Sequence, residues 1–295
     1  MSKIFLAISI LIATSAYAQI TISKQPILLG KCDKESLLQT PYIDWFQEAY
    51  NNYKPGPEAK KLSDPDLFKN CTMEIFFGSW CGDSKREVPH FLKLLHEISF
   101  PMEKVQMIAV GNRDTLLKQS PGHEEEGKGI FRVPTFIIYK NEEEINRITE
   151  FPVNSLEQDL LDIVSGYSYQ PNYHSFGLIR NWLNNGTFSN ENLSYRSMAG
   201  QLGQLVRDEH ELNSLAHVLL RQGKKKEALK IFQSNNYLFS ETAIVAESLG
   251  EAYLKNDFYS SAVFYLERSL RLNRDPEKLK GILDLLYEAK SKEKS

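Results

Sequence analysis

The chain has 295 residues, 42% hydrophobic and 25% charged, and a formal net charge of −3. This composition describes a folded protein with room for two domains and excludes a disordered chain. The lack of a basic excess removes the electrostatic case for nucleic acid as a partner. Three cysteines, Cys32, Cys71 and Cys81, are too few for a disulfide-dense scaffold, so the fold must rest on an apolar core.

Lys3 precedes an apolar run, Ile4–Ile12, broken only by Ser9, and Ala16-Tyr17-Ala18 then supplies a small-x-small cleavage pattern. The run is too short to span a bilayer. Residues 1–18 are expected to be a signal peptide, with no stable membrane insertion once it is cut; an uncleaved anchor is the weaker alternative. Residues 19–70 form an N-terminal extension. Its apolar run Pro26–Leu29 precedes a predicted helix from Glu35 to Tyr53, in which Trp45, Phe46, Ala49, Tyr50 and Tyr53 form one stripe that should pack on the next domain. Pro55-Gly56-Pro57 ends it.

Residues 71–168 alternate strand and helix. Met73–Phe77 reads as a buried strand, and Glu87–Ile98 as a helix with Val88, Phe91, Leu92, Leu95 and Ile98 inward. Val105–Val110, Thr135–Tyr139 and Ile145–Thr149 read as further strands, the last two joined by a turn at Asn141–Glu143. Ser155-Leu156-Glu157-Gln158 is a capping box opening a last helix. This order predicts an α/β domain with a mixed sheet. Residues 169–190 read as a connection with a short helix near Leu178–Leu183.

Residues 191–290 show no strand pattern but do repeat. Leu215-Ala216 recurs as Leu249-Gly250, Glu227-Ala228 as Ser261-Ala262, and Leu219 as Tyr253, each at about the 34-residue period of a tetratricopeptide helix pair. Ser248–Tyr253 resembles the first helix of that repeat. An all-α tetratricopeptide-like domain is expected, with flanking helices capping the stack and a protein partner held on its surface.

The chemistry centres on Cys81, which follows a buried strand and starts a helix. Free backbone N–H groups and the positive helix end both favour a thiolate there. Gly78-Ser79-Trp80-Cys81-Gly82, Pro89 eight residues after the cysteine, and Val133-Pro134-Thr135 occur in the order found in the thioredoxin superfamily, and this stretch resembles it. The wider run Gly78–Phe91 is similar to a group of secreted bacterial thioredoxin-like proteins with Trp-Cys-Gly-Asp-Ser. The resemblance implies an exported, periplasmic protein with Cys81 as nucleophile. It also implies a cis-proline loop at Pro134 facing the sulfur, and a substrate groove formed by Trp80, Gly82, Asp83, Ser84, Val133 and Thr135. Protein or peptide substrates carrying thiols or disulfides follow from it, with no cofactor and no metal.

Two departures limit that chemistry. Ser84 stands where the family keeps its resolving cysteine, and Ile75 where it usually keeps a buried carboxylate; strand alternation points the adjacent Glu74 to the other face. Cys71 and Cys81 flank one strand, roughly 20 Å apart, beyond disulfide reach. The cysteine count favours a Cys32–Cys71 bridge, two buried free thiols is the other reading, and Cys32 as a resolving thiol stays open. His90 and His96, six apart, lack ligand spacing, and His123–Glu126 reads as a solvated acidic loop. The expected function is monothiol thiol–disulfide exchange, of oxidoreductase or isomerase type, on exported proteins. The alternative is a redox-inactive scaffold or interaction module on the same fold.

Overall fold

A computed structural model describes residues 26–113, 115–190 and 192–294. The leader expected at residues 1–18 lies outside the described residues, among which no helix is long and apolar enough to cross a membrane.

Five strands form one mixed sheet: β1 (Gly30–Cys32), β2 (Cys71–Phe77), β3 (Val105–Ala109), β4 (Thr135–Lys140) and β5 (Glu143–Thr149), in the order β1-β3-β2-β4-β5. Only β2 and β3 are parallel, and the other neighbours are antiparallel. Before and around the sheet lie α1 (Lys34–Leu37), α2 (Ile43–Asn52), α3 (Ala59–Leu62), α4 (Gly82–Glu97) and α5 (Leu156–Ser165). A parallel pair needs a long crossover, and α4 provides it between β2 and β3. Alternation along β2 sends Met73, Ile75 and Phe77 to one face and Phe76 to the other. On the first face they meet Val88, Phe91, Leu92 and Leu95 of α4, Leu160 of α5 and Phe46 of α2. On the second, Phe76 meets Ile108, Val110, Ile130, Val133 and Ile137.

The extension does more than pack on the sheet. It contributes β1, with Cys32 opposite Met107, an edge strand too short to show a period. The helix expected over Glu35–Tyr53 is two helices, α1 and α2. Pro41 between them lacks an N–H and biases Thr40 away from helical backbone. The aromatic stripe is where expected: Phe46 is fully buried, and Trp45, Tyr50 and Tyr53 lean on the same core. In turn, α4 starts five residues before the predicted Glu87, because its first turn, Gly82–Arg86, carries no apolar side chain to reveal it.

The C-terminal region is helical: α6 (His174–Asn184), α7 (Tyr195–Leu202), α8 (Glu209–Arg221), α9 (Lys225–Leu238), α10 (Ala243–Lys255), α11 (Tyr259–Leu272) and α12 (Pro276–Glu293). The α8–α9 pair recurs as α10–α11, with Glu209, Arg221, Lys225 and Leu238 answered by Ala243, Lys255, Tyr259 and Leu272. The connection at 169–190 is itself structured, because α6 docks against the sheet region. Phe176 meets Phe131 edge-on at 5.4 Å, and Arg180 Nη1 donates to Glu144 at 2.8 Å. Gln119 Nε2 donates to the Arg221 carbonyl at the end of α8, at 3.3 Å.

Close approach of α10 and α11 depends on Gly250. A Cβ there would stand 2.6 Å from Leu266 Cγ and 3.2 Å from Leu266 N, and Leu266 is fully buried with no room to yield. Gly250→Ala gains up to about 1 kcal/mol of helix propensity against an overpacking cost of about 1–3 kcal/mol. A net loss of up to about 2 kcal/mol is expected, read as a lower urea midpoint of the helical signal; a raised midpoint would show that the pair does not pack at this distance.

Candidate active site

The chain leaves β2 at Phe77 and turns through Gly78, Ser79 and Trp80 into α4. Cys81 is the residue before the first helical turn, with extended backbone (φ −89°, ψ 130°). Its N–H donates to Gly78 O at 2.9 Å, and its carbonyl accepts from Lys85 N at 3.0 Å. Because β2 and β4 are antiparallel neighbours, with Phe76 opposite Thr135, the end of β2 lies beside the start of β4. That brings Val133 and Pro134, joined by a cis peptide bond, against Cys81. The sulfur lies 3.3 Å from the Val133 carbonyl oxygen and donates to it.

The other motif residues divide by what they touch. Trp80 Nε1 donates to Val110 O at 2.9 Å, which lays the indole over the turn. A Cβ at Gly78 would fall 2.6 Å from Trp80 Cε2, so glycine is required there. Ser84 is fully buried, and its Oγ accepts from Gly78 N at 3.1 Å, so the hydroxyl locks the turn. Asp83 pairs with Arg86 at 2.9 Å. Gly82 is exposed, and a Cβ there would meet nothing within 4 Å. Val133 and Thr135 are buried, and Thr135 Oγ1 donates to Arg132 O at 2.7 Å. What this loop offers outward is therefore backbone rather than those two side chains.

The expected Cys32–Cys71 bridge is not formed; all three cysteines are free thiols. Cys32 is in register with Met107 and, through it, Ile75, while Cys71 begins β2 four residues earlier. Two strand spacings across and four residues along separate their Cα atoms by on the order of 16 Å, against the 7 Å limit for a bridge. Cys32 packs on the α4 side of the sheet and Cys81 against the opposite cluster, so Cys32 does not reach Cys81 either. Burial, with Asp33 beside it, pushes the Cys32 thiol up to about 12, and burial also raises Cys71. Both are poor nucleophiles.

Four residues that the sequence analysis does not single out, Glu150, Arg132, Tyr173 and Lys118, form a polar cluster beside the Pro134 loop. Glu150, just past β5, has left-handed backbone (φ +66°) and donates its N–H to Pro134 O at 2.7 Å. Its buried carboxylate accepts from Arg132 Nη1 at 3.3 Å and from the Tyr173 hydroxyl. The Arg132 guanidinium also lies 4.9 Å from the Tyr173 ring centroid. Burial raises the Glu150 carboxyl, opposed by Arg132. Lys118 arrives on the loop after β3, where its N–H donates to Gly111 O and Gln119 O accepts from Gly111 N, both at 2.9 Å. Burial first, then Arg132, push Lys118 down to about 8, while Cys81 and Glu150 oppose the shift. Arg132 could have been suspected from its place beside Val133-Pro134; the other three sit in stretches without a periodic or motif pattern.

In the acidic loop His123 and Glu126 are exposed as expected, and Glu125 is not. Glu125 is buried and accepts from the Ser120 N–H at 3.0 Å and hydroxyl at 2.6 Å, so it fixes the loop instead of facing solvent. His90 stacks on Tyr53 at 4.3 Å, away from the sulfur. Among the described residues no group of three or more His, Cys, Asp or Glu is placed to hold a metal ion.

Ser84→Ala removes the acceptor for the buried Gly78 N–H, and a loss of about 1–3 kcal/mol is expected by chemical denaturation; a change below about 0.5 kcal/mol would mean the hydroxyl does not hold the turn. Lys118 gives a pH signature. Its proton is released near pH 8 in the folded chain but near 10.4 when unfolded. The unfolded state thus binds more protons in that window, and stability must rise with pH across it. The stability of wild type relative to Lys118→Met should therefore increase between about pH 8 and pH 10.4, measured as the difference in denaturation midpoints. A flat difference would show that Lys118 is not held in that environment.

No protein-family model, curated protein or solved structure matches this chain.

Proposed function

We propose that this chain is a monothiol thiol–disulfide exchange protein, a thioredoxin-like domain followed by a tetratricopeptide-like tail, acting on exported proteins. The observation that carries the reading is the Cys81 sulfur at a helix start, 3.3 Å from the carbonyl that precedes Pro134. An extended substrate segment could pair with the backbone of that loop while its disulfide meets the sulfur. The Cys81 thiolate attacks one sulfur of the substrate disulfide. The substrate S–S bond breaks, a Cys81–substrate disulfide forms, and the departing thiolate takes up a proton. Ser84 cannot attack this intermediate, so a second thiol, from the substrate or a small molecule, must displace Cys81. Thiols and disulfides trade partners with no net oxidation, which suits isomerisation or removal of mixed disulfides better than bulk reduction. The helical repeats are suited to holding the partner protein.

The scaffold reading has its own support. Ser84 is consumed by the Gly78 turn, and the α4-facing positions Ile75 and Met107 are apolar and buried, so the ordinary dithiol cycle has no machinery. The two readings separate on trapping. Wild type incubated with a disulfide-containing peptide should accumulate a mixed disulfide mapped to Cys81 by mass spectrometry. Cys81→Ser should form none, and Ser84→Cys should shorten the lifetime of the adduct. If Cys81 forms no adduct and is alkylated no faster than an ordinary thiol titrating near 8.5, the exchange reading fails and the scaffold reading stands.

A further inference from the structure

Between the sheet and α6 lies a cavity of about 180 Å³. Its floor is the face of the sheet that also carries Cys81: Thr135 and Thr149 are cross-strand partners there, and Thr135 alternates in step with Ile137, which packs in the same cluster as Phe76 and Cys81. One wall is aromatic. Phe131 meets Phe176 edge-on at 5.4 Å, and Phe176 stacks on Tyr173 at 4.9 Å. The Tyr173 hydroxyl is bonded to Glu150 and the Arg132 guanidinium lies 4.9 Å from its ring centroid, so this wall is held in place before any ligand arrives. The other wall is cationic. Arg147 and Arg180 line the cavity, and no carboxylate among the described residues does. Both donate to one acid behind them, Glu144: Arg147 through Nε at 2.7 Å and Nη2 at 2.6 Å, and Arg180 through Nη1 at 2.8 and 3.0 Å. Burial opposes ionisation of Glu144, but the bonds from Arg147 and then Arg180 hold its carboxyl below the usual value, so the three groups carry one positive charge in excess. Arg147 also donates Nη1 to Lys128 O at 2.8 Å. Arg180 Nε and Nη2 have no hydrogen-bond partner among the described residues. Arg180 reaches this place by passing Gly129, whose backbone is left-handed (φ +63°) and where a Cβ would stand 3.1 Å from Arg180 Cδ.

We propose that this cavity binds a single-ring aromatic carboxylate, with the ring against Phe131, Phe176 and Tyr173 and the carboxylate on Nε and Nη2 of Arg180. A cavity of about 150 Å³ is enough for benzene, so the space here takes one ring and a short acidic arm but not a fused or extended ligand. The excess positive charge selects an anion, and a guanidinium with two adjacent free N–H groups matches the two oxygens of a carboxylate. An aromatic wall with a few fixed polar groups is the usual make-up of a small-molecule site. The ligand is a free acid or the C-terminal residue of a peptide, since both present the same ring and the same carboxylate. The site does not depend on the exchange reading.

Calorimetric titration of the full-length chain with phenylacetate tests this. Wild type should bind with a Kd on the order of 0.1 mM. Benzyl alcohol, which has the ring without the charge, and acetate, which has the charge without the ring, should each bind at least about tenfold more weakly. Arg180→Met should weaken phenylacetate by about tenfold or more and leave benzyl alcohol unchanged. Arg180→Lys keeps a cation for Glu144 but loses the planar fork, so it should weaken phenylacetate by about tenfold as well, and it decides the matter if Arg180→Met does not fold. A short peptide ending in phenylalanine separates the two sources. Tighter binding than phenylacetate, lost on amidation of the terminus, supports the site with a chain terminus as its ligand; weaker binding supports it with a free acid. No binding at millimolar phenylacetate, equal binding of benzyl alcohol, or phenylacetate binding that both Arg180 variants leave unchanged overturns the proposal.

Discussion

The antiparallel pairing of β2 with β4 is the constraint on which this molecule depends. Once Phe76 faces Thr135, whatever follows β2 must lie beside whatever precedes β4. Cys81 and Val133-Pro134, 52 residues apart in the chain, meet within 3.3 Å for that reason alone. The sulfur then has a carbonyl in front of it and a helix start behind it. The first turn of α4 is held by a small set of bonds, Cys81 to Gly78, Ser84 to Gly78 and Trp80 to Val110.

The same register distributes the cysteines. Cys32 and Cys71 lie on strands separated by β3 and too far along them to pair, and Cys32 faces away from Cys81. Burial raises both of their thiols. Of three similar side chains, the fold leaves one at a partly exposed helix start. Ser84 has a part in the fold as well: its hydroxyl satisfies a buried backbone N–H, an interaction whose loss costs more than the bond itself contributes. This gives Ser84 a structural reason to be there that is independent of catalysis.

The helical region is coupled to the site through the segment from Val110 to Val133. Its Gln119 bonds to α8, Phe131 packs on α6, and the Tyr173 hydroxyl at the start of α6 closes on Glu150. Arg132 and Lys118 lie between those anchors.

Much of this was legible in the chain. The strands β2 to β5, the inward face of α4, the aromatic stripe of α2 and the 34-residue repeat all carry a period that burial imposes. Trp80-Cys81 and Val133-Pro134 could be marked as a site because residue order survives in one dimension. The breaks were less visible: Pro41 divides one helical pattern into α1 and α2, the polar first turn of α4 hides its start, and β1 is too short to alternate. The sequence by itself determined the elements and the candidate nucleophile. Tertiary structure alone decided that no bridge joins Cys32 to Cys71, that Ser84 is tied to Gly78, and that Arg132, Glu150 and Tyr173 join beside the Pro134 loop. Those relations come from strand register and loop closure between distant segments, and neither leaves a local pattern for a sequence to display.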